Sequence, residues 1–136
     1  MSKNNIRSVI IDQDHILLCT TLDLPISFYF LPGGHVEIDE DPKTTVEREC
    51  LEELNVTADF WLPHPLFLTS TLITIGPTAG HTDVSLWYVL KGDSNRIYKF
   101  DQGEFNDIRW FHLNDVPYEK SDPHMGRFIQ KLKGKL

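Results

Sequence analysis

The sequence predicts an α/β fold, a mixed sheet covered by helices. Three observations point to it. Short β-prone runs recur along the whole chain, stretches with apolar residues at helical spacing separate them, and turn-forming residues mark the boundaries. Residues 6–11 and 16–21 are β-prone runs around Asp12-Gln13-Asp14-His15, which reads as a hairpin. Residues 28–31 form a third strand, ended by Pro32-Gly33-Gly34. Residues 42–54 are a helix, with Asp41 as N-cap and Pro42 at the first helical position. Asn55 suits the left-handed residue that closes a helix. Residues 56–62 and 66–75 read as strands and 76–81 as a loop. Residues 83–90 form a strand with Val84, Leu86, Tyr88 and Leu90 on one face, and 108–112 a short one. Asp122 caps a last helix with Pro123 at its first position, along which Met125, Phe128, Ile129 and Leu132 recur at helical spacing.

The 136 residues carry no internal repeat and no linker composition, so residues 1–136 read as a single domain. With 40% hydrophobic and 24% charged residues, the composition is that of a soluble globular protein. The net charge of −7 argues against a nucleic acid polymer as partner, because such binding neutralises many phosphates with Lys and Arg. A small phosphorylated substrate stays compatible if metal ions supply positive charge. Met1 to Asn5 lacks the apolar stretch of a signal peptide, and no apolar run approaches the roughly 20 residues of a membrane span. Cys19 and Cys50 lie among apolar neighbours outside any C-x-x-C pair, as buried free thiols do. A cytoplasmic location is expected, with no membrane partner; a homodimer is compatible with the sequence.

The helix over 42–54 concentrates charge. At about 100° per residue, Glu49, Glu52 and Glu53 fall within one arc of roughly 100°. Val46, Cys50 and Leu54 form a neighbouring apolar stripe that would dock the helix on the sheet. Arg48 lies one turn before Glu52 and can hold a carboxylate, while Glu47 points away as a surface charge. Two carboxylates about 4 Å apart repel by on the order of 4 kcal/mol at an effective dielectric near 20. Such a cluster is stable when solvated, partly protonated or bridged by cations, and a hard divalent cation is its natural partner.

Gly34, Glu40 six residues on, and Arg48-Glu49 with Glu52 and Glu53 form a set that arises by chance far less than about once in a million start positions. The stretch 34–56 resembles the Nudix box, G-x5-E-x7-R-E-U-x-E-E-x-G-U, with U a bulky aliphatic residue. Gly34, Glu40, Arg48, Glu49, Glu52, Glu53 and Val56 match. Cys50 holds an aliphatic position, and Asn55 replaces the second glycine, which the left-handed helix end tolerates. The lead-in Leu31 to Glu37 is similar to the family's as well. The resemblance implies an α/β/α sandwich and hydrolysis of a nucleoside diphosphate linkage with Mg²⁺, or Mn²⁺ in its place. It implies Glu49, Glu52, Glu53 and the Gly33 carbonyl as metal ligands. Arg48 would orient Glu49, Gly34 and Glu40 would brace loop and helix, and the base would be Glu49, Glu53 or Glu104. Glu104, in a Gly103-Glu104-Phe105 loop, is also a candidate ligand, because family members supply an acidic residue after the box.

Substrate contacts are less defined. Tyr29, with Phe28 and Phe30 beside it, could stack a base, and so could Trp87 or Tyr88, which point to opposite faces of their strand. His81 and Asp83 flank the start of a strand next to a Gly-rich loop and could contact substrate, and His124 and Arg127 lie near the start of the last helix, where phosphate could bind. No H-x-H or H-E-x-x-H spacing suggests zinc. The residues after the box lack the proline of ADP-ribose hydrolases and the tyrosine of diadenosine-polyphosphate hydrolases, and the lead-in mark of coenzyme A hydrolases is missing too. This favours a nucleoside triphosphate, cleaved to monophosphate and pyrophosphate. ADP-ribose or a nucleotide sugar is the alternative substrate, and a non-catalytic nucleotide-binding module the alternative function. Such modules usually lose box glutamates; this chain keeps them.

Overall fold

The computed structural model describes residues 2–20, 28–74, 76–77, 79–100 and 107–135. In chain order the elements are strands β1 (Ser2–Asp12), β2 (His15–Thr20), β3 (Tyr29–Phe30) and β4 (Gly33–His35), helix α1 (Pro42–Leu54), strands β5 (Phe67–Leu72), β6 (Thr82–Lys91) and β7 (Asp107–His112), and helix α2 (Met125–Lys133), preceded by a 3₁₀ turn at Tyr118–Lys120. Among the described residues seven strands form one sheet. Its path runs β3-β2-β1-β6-β5, with β4 also paired to β1 and β7 to β2. β1 and β6 are parallel over ten residue pairs, and the other pairings are antiparallel, so the sheet is mixed.

Alternation along the central strands sorts the core into two layers. Ile6, Ile10, Leu17, Cys19, Tyr88 and Leu90 pack with Val46, Cys50 and Leu54 of α1. Val9, Ile11, Ile16, Leu18, Trp87 and Val89 pack with Met125, Phe128, Ile129 and Leu132 of α2. The sheet thus lies between the helices as an α/β/α sandwich, and the apolar stripes expected on both helices dock them. Cys19 and Cys50 are buried free thiols. Burial raises both thiol pKa values, that of Cys50 to about 11, so neither is a reactive thiolate at neutral pH. No described helix is long and apolar enough to cross a membrane.

α1 keeps the bounds read from the sequence. Asn55 closes it at φ 55°, ψ 40°, and its N–H donates to the Leu51 carbonyl at 3.1 Å. Three expectations are corrected. Gly33 and Gly34 do more than end a strand, since with His35 they form β4 on the edge of β1. Residues 56–62 are not a strand; Phe60 makes one bridge to Leu90, and Pro63 and Pro65, which lack the N–H a ladder needs, follow. α2 begins at Met125, not Pro123, because Asp122 folds a turn ahead of it, accepting the His124 N–H on Oδ1 (2.8 Å) and the Met125 N–H on its carbonyl (2.9 Å). Asp41 does precede α1, but with its backbone alone: its carbonyl accepts the Thr45 N–H at 3.0 Å and its side chain makes no cap bond.

Candidate active site

β4 and α1 build the site. Gly34 pairs with Ile6 of β1, and Gly33 with Arg7. Both positions demand glycine, for different reasons. A methyl on Gly33 would run into the Ile6 carbonyl, which is backbone. A methyl on Gly34 would run into the carboxylate of Glu49, the end of a flexible side chain. The two alanine variants should therefore separate. Gly33→Ala forces the β1–β4 pairing apart and lowers stability by about 1–3 kcal/mol, read from chemical denaturation. Gly34→Ala keeps the fold but displaces Glu49, and displacement by about 1 Å costs roughly 100-fold in turnover. Equal stability loss in both variants would contradict this division.

Arg48 organises the acidic face. Its Nε and Nη2 donate to the two oxygens of Glu40 at 2.9 and 3.0 Å, a bidentate pair. Nη1 donates to Glu49 Oε1 at 2.9 Å and to Glu52 Oε2 at 3.4 Å, and Nη2 also reaches the His35 carbonyl at 3.2 Å. Glu40 Oε1 further accepts from Thr45 Oγ1 (2.7 Å) and from the Glu37 N–H (3.2 Å). Glu40 thus ties the loop before α1 to the helix. The Arg48 bonds, with Thr45 next, lower the Glu40 pKa from 4.5 to about 2. Pairing with Glu40 in turn raises the Arg48 pKa.

A depressed carboxylate pKa means that the ionised form stabilises the fold. That contribution is complete above pH 4.5 and is lost as the pH falls towards 2. Glu40→Gln should lower stability at neutral pH and flatten the stability profile between those limits, measured by thermal melts across the acid range. An unchanged acid limb would contradict the assignment.

Glu49 and Glu53 border one cleft of about 490 Å³, with Gly33, Gly34, Arg7, Asn5 and Asp83 on its other walls. Glu53 is 7% exposed, and the Glu49 side chain 15%. The Glu52 side chain is 59% exposed and lies outside the cleft lining. Glu104 lies outside the described residues. The donor set suits a hard divalent cation in kind, since every group is an oxygen ligand and Gly34 leaves room for the Glu49 carboxylate. In arrangement it is not closed. Among the described residues no three His, Cys, Asp or Glu side chains converge as a metal site. The reason is visible: Glu49 and Glu52 are turned to Arg48 Nη1. A cation drawing on Glu49 competes with that guanidinium.

The substrate-contact candidates scatter. Trp87 is fully buried between Phe67 and Phe128, with its indole N–H donated to Thr69 Oγ1 at 3.1 Å, so it has no face to offer a base. Tyr88 is likewise buried, against Phe60 in the α1 layer. The core claims both faces of the strand, which corrects the expectation of a stacking residue there. Tyr29 packs edge-to-face on Phe111 and accepts from Arg109 Nη1 at 3.3 Å, away from the carboxylates. Arg127 bonds His124 Nδ1 at 2.9 Å and lies over the Phe67 ring, also outside the cleft. His81 does not border the cleft, although Asp83, two residues on, does. Sequence reasoning passed over Asn5 and Arg7. The signal for Arg7 was a charge on the strand face that Val9 and Ile11 continue; Asn5 ends the polar run 2–5 and gave none.

A family model described as NUDIX domain matches residues 1–132. No curated protein matches the sequence. Solved structures share the fold. A MutT NUDIX hydrolase from Burkholderia pseudomallei superposes with a TM-score of 0.76 at 21% identity, over 96% of this chain and 98% of that one. An Ap4A hydrolase from C. elegans, solved as a binary complex, gives 0.76 at 18% identity, covering 97% and 96%. The dihydroneopterin triphosphate pyrophosphohydrolase of E. coli gives 0.67 at 18%, covering 93% and 94%.

Proposed function

Because the chain belongs to the NUDIX domain family, whose hydrolases act on pyrophosphate bonds, we propose that it is a Mg²⁺-dependent pyrophosphohydrolase of a small nucleotide. The substrate we favour is a nucleoside triphosphate, cleaved to monophosphate and pyrophosphate. The observation that carries this is the meeting of Glu49, Glu53 and Gly33 on one cleft, where Arg48, also on its lining, fixes Glu49. Two of the structural neighbours are named for different substrates, Ap4A and dihydroneopterin triphosphate, so the shared fold does not choose among nucleotides.

Glu49 and Glu53, with Glu52 and the Gly33 carbonyl, would hold the metal. Bound there, Mg²⁺ or Mn²⁺ supplies neutralisation of phosphate oxygens and a lowered pKa for water. The chain's own residues do the rest. Arg48 orients Glu49 through the 2.9 Å bond. The Gly34 backbone leaves the space into which the Glu49 carboxylate fits. Glu53, on the cleft lining and 7% exposed, accepts the proton of the attacking water; Glu49 and Glu104 are the other carboxylates that could do so. Residues 1–136 act as one catalytic unit.

The test is pyrophosphate and phosphate release across triphosphates, nucleotide sugars and dinucleotides, with and without Mg²⁺. Metal-dependent pyrophosphate release from a triphosphate is the expected result. Turnover of ADP-ribose alone would move the substrate assignment. Nucleotide binding without any turnover would mean a binding module.

A further inference from the structure

Arg7 stands where a core residue would be expected. It lies two positions before Val9 and four before Ile11, so the alternation of β1 puts it on their face, in register with Trp87 of β6 and Gly33 of β4. It is half-buried, and among the described residues its guanidinium has no hydrogen bond or ion pair. Arg48, by contrast, is paired with three carboxylates at 3.4 Å or less. A half-buried cation on a core-facing side is costly unless an anion meets it.

Arg7 also borders two cavities. One is the carboxylate cleft; the other, of about 340 Å³, is lined by Phe28, Phe30, Leu31, Asp122 and Pro123. Among the described residues Arg7 is the one lining residue the two have in common. A ligand spanning them would be aromatic at one end and anionic at the other. We infer that Arg7 is the substrate's phosphate anchor. Its planar fork grips the phosphate that remains on the nucleoside, with the base in the aromatic cavity and the scissile linkage towards Glu49 and Glu53. This rests on the nucleotide hydrolase reading above.

The experiment has two arms. In the first, Arg7→Gln should raise KM for the triphosphate about 10- to 100-fold while kcat changes only a few-fold, with Arg7→Lys in between. In the second, the wild-type protein with Mg²⁺ is labelled with phenylglyoxal and Arg7 modification is followed by peptide mass. A non-hydrolysable nucleoside triphosphate should slow the labelling, and the free nucleoside should not. Unchanged KM in both variants, or labelling of Arg7 indifferent to the triphosphate, overturns the inference. Absence of wild-type turnover on every nucleotide would overturn the hydrolase reading instead, and the labelling arm would still decide whether Arg7 binds phosphate.

Discussion

Glu53→Gln leaves the protein folded and lowers turnover by about 10²- to 10⁴-fold, the range expected when a positioned acid–base group is lost. The substitution keeps size and shape and removes only the charge. Docking of α1 does not depend on that charge, because Val46, Cys50 and Leu54, all at most 2% exposed, hold the helix on the sheet. Glu53 is itself 7% exposed, a carboxylate set inward rather than splayed to solvent. Saturating kcat measured beside a thermal melt separates the two effects. Near-normal turnover with an unchanged melt would refute the role of Glu53.

Arg48→Met has the second large effect, and its signature differs. It takes the cation away from Glu40, Glu49 and Glu52 at once. Glu40 then loses its bidentate partner, and Glu49 the bond that fixes its carboxylate beside Gly34. The expected outcome is a roughly 100-fold loss of turnover together with a lower Tm. Extra Mg²⁺ should restore part of the stability, because a divalent cation relieves the same repulsion. Arg48→Lys should not rescue activity fully, since a point charge cannot reproduce the forked contact with Glu40 while reaching Glu49. A Tm equal to wild type in Arg48→Met would show that the carboxylates need no organising cation.

Much of this architecture was legible because it depends on local chemistry. Pro42 at the first turn and Asn55 at a left-handed end bound α1 at both ends. The stripes on α1 and α2 announced two helices that needed a sheet between them, and the alternation of β6 correctly separated Leu86, Tyr88 and Leu90 from Trp87 and Val89. β4 was not legible. Two glycines carry no strand propensity, yet the pairing with β1 requires them, because that edge leaves no room for a Cβ at Gly33 and Glu49 fills the space at Gly34. The run at 56–62 looked like a strand through its apolar residues, yet the edge of β6 is shared, with β5 taking most of it and Phe60 one bridge.

The acidic face was legible from spacing alone, but its wiring was not. Sequence could place Arg48 near one carboxylate; only the fold shows it bonded to Glu40, Glu49 and Glu52 together, with the Glu52 side chain still 59% exposed. Arg7 and Asn5 escaped because polar residues in the first half of a strand belong to no motif, and their meaning depends on which cavity the sheet opens beside them. Trp87 misled for the opposite reason: a large aromatic near a site suggests stacking, whereas here Phe67 and Phe128 enclose it.

A crystal structure with Mg²⁺ and a non-hydrolysable nucleoside triphosphate tests the central claim most directly. The account predicts an ion within about 2.0–2.1 Å of oxygens from Glu49 and Glu53, with the Gly33 carbonyl in its shell and the diphosphate across it. Glu49 and Glu53 still turned to the protein, with the ion and the phosphates bound elsewhere, would contradict it.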